Sequence, residues 1–416
     1  MTGKITAQQA ADKWGIALRR VQDHCKKGRI PGAERFGRNW MIPADAVCPL
    51  DGRSKAGKAA KEPPAVYRPL VRKTPFLNMT DLYHTPGTAD EAYQALAYHP
   101  EAQALFGAEI AYSRGQIDEV YEHAAYFLEN HSGFYATLSG GMLLGLVAMW
   151  KGDVELWHKA KKHLYEAPWK TENDRDLISL SVASTDLAIR STRDFPDWFY
   201  RGRFENLPAD AHPAARVFYI KYLLAFAQEV ATGRFPLEEV KGLGLMRSYP
   251  FIMEPMIAQA VVDKTVMVEI YLRLLCAIAY HQTGDDTNAT FHLDRAIALC
   301  LPDRIYGPLC EHRRQLGLLL DERLKLADPE AAKKVKELHK ILHKGWTKLH
   351  NAVMNDRVSP ALSAREHEVA RLAAFGLSDD QIASQLHITK ASVKSIIQMA
   401  RNKTGAKERS EFGAYI

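Results

Sequence analysis

Four residues near the end of this 416-residue chain have types and spacing that fit a definite chemistry: Lys394, Ser395, Gln398 and Asn402. If this stretch is helical they share one face, and they offer a cation for phosphate together with hydroxyl and amide groups for base edges in a major groove. Between them Val393, Ile396, Ile397 and Ala400 recur at i, i+3, i+4 and i+7, which predicts a buried stripe on the opposite side. An ordinary solvated surface helix can show the same polar face, so the preceding residues must decide.

Those residues predict two short helices and a corner. Ser363 with Glu366, and Ser378 with Gln381, have the spacing of capping boxes and place helix starts at about residues 364 and 379. Gly376 supplies the stop between them. Leu386-His387-Ile388 sets two apolar side chains around a tight turn, and Thr389 is a good N-cap for the third helix. The three-helix spacing, with Arg365-Glu366, Glu368-Val369, Gly376-Leu377-Ser378, Ile382-Ala383, Leu386 and Val393-Lys394, resembles the C-terminal DNA-binding domain of LuxR-type regulators over about the last 55 residues. The resemblance implies that Lys394, Ser395 and Gln398 face bases, that Thr389 and Ser392 meet phosphate, that the partner is double-stranded DNA and that the protein is a homodimer. Gln381 departs from the family's usual acidic residue and is expected to cap through its amide; the fourth helix is expected to be short.

A second candidate reader occupies the N-terminus. Thr6 with Gln9 is another capping box, Ala10, Ala11 and Trp14 form an inward face, and Gly15-Ile16 makes a turn. A basic helix from about Leu18 to Lys27 then presents Arg19, Arg20, Gln22 and Lys26. Residues 35 to 43 follow with Gly37-Arg38 between short apolar stretches, the pattern of a two-stranded wing. Over about residues 4 to 47 this order resembles the winged helix-turn-helix of excisionase-like and MerR-like domains. By that resemblance Arg19, Arg20 and Gln22 enter the major groove while Arg35, Arg38 and Asn39 hold the flanking backbone. A basic protein-binding module fits the same residues.

Charge is distributed to match two DNA-facing ends. Residues 1 to 73 carry a net charge of +10 and residues 357 to 416 a net of +3, leaving −7 on the middle of a chain whose total is +6. Cationic ends on an anionic body are expected when the ends touch a polyanion and the body does not. Five scattered cysteines without a Cys-x-x-Cys pair favour a reducing compartment over a disulfide framework or zinc site. The most apolar run, Leu138 to Trp150, is too short to span a bilayer and reads as a buried helix, so a cytoplasmic protein is expected.

Residues 49 to 73 are rich in Gly, Pro, Ala and Lys and read as a basic linker, long enough as a coil to span on the order of tens of Å. Within it, residues 52 to 59 miss a phosphate-binding loop by one residue. Ala59 has no hydroxyl for magnesium, no apolar strand precedes Gly52 and Pro63-Pro64 interrupts where a helix should run, so the match is rejected.

The middle shows successive amphipathic helices, with Ile270, Leu274, Ala277 and Ile278 on one face and Ala289, Leu293, Ala296 and Ile297 on another. Glycine turns at Gly115, Gly152 and Gly284 precede acidic helix starts, and a similar turn occurs at Thr232-Gly233-Arg234. The first two lie 37 residues apart, and the region resembles a degenerate tetratricopeptide-like solenoid, with an irregular helical bundle as the alternative. Such a body implies a groove for a small-molecule or protein effector. A long helix from about Pro329 to Met354 should bury Val335, Leu338, Leu342, Trp346 and Leu349. His339 and His343 are one turn apart on it, but without a second ligand pair they read as solvent-facing and not as a metal site. The large aromatics of the middle read mostly as core. No nucleophile, metal-protease or dinucleotide motif is present, so neither an enzyme nor a cofactor is expected.

The expected fold is mainly α: a winged helix-turn-helix at 1–48, a linker at 49–73, a helical repeat-like body at 74–356 and a LuxR-like reader at 357–416. The expected function is DNA-binding transcriptional regulation with two reading ends. The alternative is a helical interaction scaffold whose N-terminal module binds protein and whose C-terminal domain tethers it to DNA.

Overall fold

All three capping boxes read from the sequence cap helices in the computed structural model, which describes residues 3–37, 39–48, 83–98, 100–129, 133–225, 243–355 and 362–414. The linker with its rejected phosphate-loop match, the turn at Gly233 and Arg38 lie outside these residues. The chain divides into two units, residues 1–69 and 70–416.

In the first unit a short strand β1 (Lys4–Thr6) leads into α1 (Ala7–Trp14) and α2 (Leu18–Lys26), followed by a hairpin of β2 (Glu34–Phe36) and β3 (Asn39–Pro43). The sheet is antiparallel in the order β1-β3-β2, with Ile5 opposite Ile42 and Arg35 opposite Trp40. Strand β1 was not read from the sequence, because three residues are too few to show an alternation. Thr6 ends β1 and caps α1, accepting from the Gln9 N–H at 3.2 Å. Gly15 closes α1 in the left-handed region at φ 64°. Ala10, Val21, Cys25, Ile30 and Ile42 make the buried centre of this small unit.

The described helices of the second unit are α3 (Ala89–Ala95), α4 (Pro100–Arg114), α5 (Ile117–Glu129), α6 (Phe134–Lys151), α7 (Val154–Tyr165), α8 (Glu172–Ala188), α9 (Asp197–Tyr200), α10 (His212–Ala225), α11 (Leu243–Val262), α12 (Val266–Gln282), α13 (Asp286–Cys300), α14 (Gly307–Ala327) and α15 (Pro329–Met354). They are followed by α16 (Ala364–Ala374), α17 (Asp379–Gln385), α18 (Lys390–Thr404) and a 3-10 turn at Ser410–Ala414. Neighbours in sequence pack as antiparallel pairs from α4 to α7 and from α11 to α15. The glycine turns work as read: after Gly152, Asp153 caps α7 by accepting from the Leu156 N–H at 3.0 Å, and after Gly284, Asp285 does the same for Asn288 at 3.1 Å.

Stacked repeats touch only their neighbours. Here the last helices also return to the first, with α15 packed on α6 and α14 on α4. The helical layers therefore close around an interior. Glycines permit the closure. The apolar run expected as a buried helix is α6, and it has helices on three sides: Gly141 lies under Leu164 of α7, Gly145 under Thr185 of α8, and Gly345 of α15 lies against its C-terminal end. A Cβ on Gly345 would stand 2.0 Å from the Trp150 carbonyl oxygen and 2.6 Å from that of Met149. Backbone cannot yield as a side-chain tip does, so Gly345→Ala should separate α15 from α6 and cost about 3 kcal/mol or more. Urea unfolding checks this, with exposed Lys340→Ala on the same helix expected to leave the midpoint unchanged. All five residues predicted for the buried seam of α15 are buried. Among the described residues no helix is long and apolar enough to cross a membrane.

Candidate nucleic-acid interface and the cavity behind it

Helix α18 is held by its buried stripe. Val393, Ile397 and Ala400 pack with Val369 and Leu372 of α16 and Ile382 of α17, while Ile396 is only half-buried. Lys394, Ser395, Gln398 and Asn402 are all exposed on the other side. Gln398 Nε2 donates to Asn402 Oδ1 at 3.1 Å, so two of the four polar groups hold each other in place. At the helix start, exposed Thr389 accepts from the Ser392 N–H at 3.1 Å, and the two hydroxyls are 2.8 Å apart. Anions are favoured at such a helix N-terminus. Gln381 accepts the Ser378 N–H through its side-chain oxygen at 2.8 Å, the amide capping expected in place of a carboxylate. The fourth element is the 3-10 turn, and its Phe412 is fully buried in the same core.

In the first unit, Arg19, Arg20 and Lys26 are exposed on α2, and Arg35 and Asn39 are exposed on the hairpin. Gln22 departs from the expected outward position. It is half-buried, because it shares its side of α2 with half-buried Leu18 four residues before and buried Cys25 three residues after. Phe36 stands 80% exposed at the hairpin tip, a feature not singled out in the sequence.

Helix α16 also buries its outer side, against the body. Its residues 366 to 373 are all buried, with Val369, Ala370, Leu372 and Ala373 serving the reader's core and His367, Glu368 and Arg371 turned to the body. Arg314 of α14 donates from Nε to His367 Nε2 at 2.6 Å, and Glu368 lies 3.4 Å from His281 Nε2. Gln385 of α17 donates to the His281 carbonyl at 3.3 Å. Helix α14 breaks at Gly317, φ 55°, where an added Cβ would meet Glu368 at 3.5 Å.

Behind this joint lies a cavity of about 260 Å³, walled by α6, α8, α10, α12, α14 and α15 and by α16 of the reader. His339 and His343 line it, so they are not the solvent-facing pair expected from the sequence. Their helix turns that face inward onto α14, where His339 Nδ1 is 3.0 Å from the Cys310 carbonyl. The two rings stack at 5.8 Å, and the stack continues through Trp346 to His350. Arg314 lies over Trp346, 5.2 Å from the ring centre. Burial pushes the imidazoles of His312, His339 and His343 down to about 4, and nearby Arg314 adds to this at His339 and His343. His367 is also pushed well down, by burial and by Arg314 and Arg371. These four are neutral at pH 7, and His367 can accept from Arg314.

The cavity's lining carries Arg190, Lys221, Arg314 and Arg371 against one carboxylate, Glu311. Burial would raise the Glu311 carboxyl, but Lys221 at 2.9 Å outweighs it and holds the group ionised. Tyr112 and Tyr271 also donate to Glu311, at 2.8 and 3.1 Å. Elsewhere Glu254, Cys276 and His292 bring three donor atoms within 4.8 Å of one another, a grouping across α11, α12 and α13 that no sequence spacing announces. Burial raises the Cys276 thiol, which keeps it protonated.

A buried three-helix core presenting one exposed polar helix face defines a helix-turn-helix domain. Residues 360–415 match the family model described as bacterial regulatory proteins, luxR family, so the C-terminal part is a LuxR-family helix-turn-helix domain, a type that points to DNA-binding transcription regulation. No curated protein and no solved structure matches the chain.

Proposed function

We propose that this chain is a cytoplasmic, sequence-specific transcriptional regulator that reads double-stranded DNA at both ends and senses an effector through its helical body. The observation that carries the reading is the exposed face of α18, Lys394, Ser395 and Gln398, on a domain of a DNA-binding regulatory family. The two helices and basic hairpin of residues 4–43 support a second, winged reader, with Arg19, Arg20, Arg35 and Asn39 exposed for DNA. Exposed Phe36 at the hairpin tip favours a second reading, in which this unit docks on a protein.

Sequencing duplexes selected by the full-length protein tests the proposal. Two motifs at a fixed separation are the expected result; enrichment of none would end the DNA reading. On the selected site Lys394→Ala should weaken binding by about 1–3 kcal/mol, and Gln398→Ala should relax preference at a neighbouring base. If both variants bind like the parent, α18 is not the recognition helix.

A further inference from the structure

We infer that the cavity behind the reader binds a small organic carboxylate with an apolar tail, its anionic head held by Arg371 of the reader together with Arg314 and Arg190 of the body. This deepens the effector-sensing part of the proposed function and rests on it.

Arg371 is the residue that asks for a ligand. Its side chain lines the cavity and the residue is 6% exposed, yet its Nε and Nη1 have no hydrogen-bond partner among the described residues. A buried guanidinium with donors unused is costly, and an anion is the group that best satisfies it. The nearest carboxylate on its own helix, Glu368, is already engaged by Arg365 and His281, each at 3.4 Å. Glu311 is occupied by Lys221 and the two tyrosines. Arg190 and Arg314 sit close enough to act on His367 with Arg371, so the three guanidinium groups converge on one region. Among the described lining residues Glu311 is the one carboxylate, and it is already engaged, so none of them supplies an anion to Arg371.

The remaining wall sets the rest of the ligand. Met142, Leu146, Leu224, Leu275, Leu342 and Phe375 are apolar, so a bare inorganic anion would leave most of the cavity unmatched. At roughly 30 Å³ per water-sized group, the space holds about nine such groups, which suits a carboxylate of about ten heavy atoms. Because Arg371 belongs to α16 and Arg314 to α14, such a ligand would join the DNA reader to the body.

The test is calorimetric titration of the full chain with sodium octanoate, matched by 1-octanol and by inorganic phosphate. Saturable octanoate binding is expected, at least tenfold tighter than octanol and with phosphate weaker still. R371M should weaken octanoate binding at least tenfold without lowering the ligand-free melting temperature, since it removes a buried cation; a residue serving only structure would lower it. L275W, which fills the apolar wall and leaves every cation in place, should also abolish binding. Equal affinity for octanol and octanoate on the unaltered protein, absence of octanoate binding, or R371M binding like the parent would each overturn the inference. Affinity for the selected DNA, measured without octanoate, separates the two claims: its loss with octanoate binding intact ends the DNA reading alone, and the converse ends only this site.

Discussion

Removal of residues 1–73 is expected to lower affinity for a two-motif operator by about 10²–10⁴-fold while leaving binding to the α18 motif alone nearly unchanged. Two linked readers gain this much because the second binding event becomes intramolecular, and they gain nothing when the spacing prevents joint engagement. The effect should therefore depend on the distance and helical phase between the motifs. The segment carries a net charge of +10, so its loss should also flatten the fall of log affinity with log salt, by about 0.9 for each phosphate contact removed. Electrophoretic mobility shifts across a salt series, with the motifs moved apart by half-turns, measure both effects. Unchanged affinity and salt slope on the two-motif site would give the N-terminal unit to a protein partner, where exposed Phe36 would be its natural contact.

What the sequence showed of these elements follows from the range over which each is determined. A capping box is settled within four residues, so Thr6, Ser363 and Ser378 could be placed without knowledge of the rest of the chain. The stripe of α18 and the seam of α15 are also local, set by the helical period. Periodicity says which residues share a face but not what covers it. That is why His339 and His343 read as solvated: the cavity they line is completed by α6, α8, α10 and α12, far away in sequence. Arg371 was hidden for the same reason. It lies on α16, which packs on α14 of the body, and it lines a cavity whose walls come from helices along much of the chain. A usable hint was present in the concentration of histidine and arginine on three helices, His312 and Arg314, His339 and His343, His367 and Arg371, two of the pairs spaced four apart. The closed interior and the grouping of Glu254, Cys276 and His292 gave no such hint.

That buried histidine cluster should make the protein unusually sensitive to mild acid. The imidazoles of His312, His339 and His343 are held near 4 by burial, against about 6.5 in the unfolded chain. A depressed folded value means that the unfolded chain takes up the proton first. The cluster's contribution is thus intact above about pH 6.5 and is lost as the pH falls toward 4. Each such shift corresponds to about 3 kcal/mol when complete. Asp186 runs the other way: burial raises its carboxyl to about 6, so folding gains as it protonates over the same window and offsets about one histidine. His281, raised overall because its hydrogen bonds to Asp286 and Glu368 overcome burial, also favours the fold as it charges. Three depressed histidines at about 4, with His367 also held well below its usual value, outnumber these two. Stability should therefore drop by several kcal/mol, about 3 to 6, between pH 6.5 and 4.5. Urea midpoints measured at half-unit steps should decline through this window, and the double variant His339→Gln with His343→Gln should make the decline shallower. A midpoint that stays level or rises from pH 6.5 to 4.5 would show that these imidazoles are not held neutral inside the body.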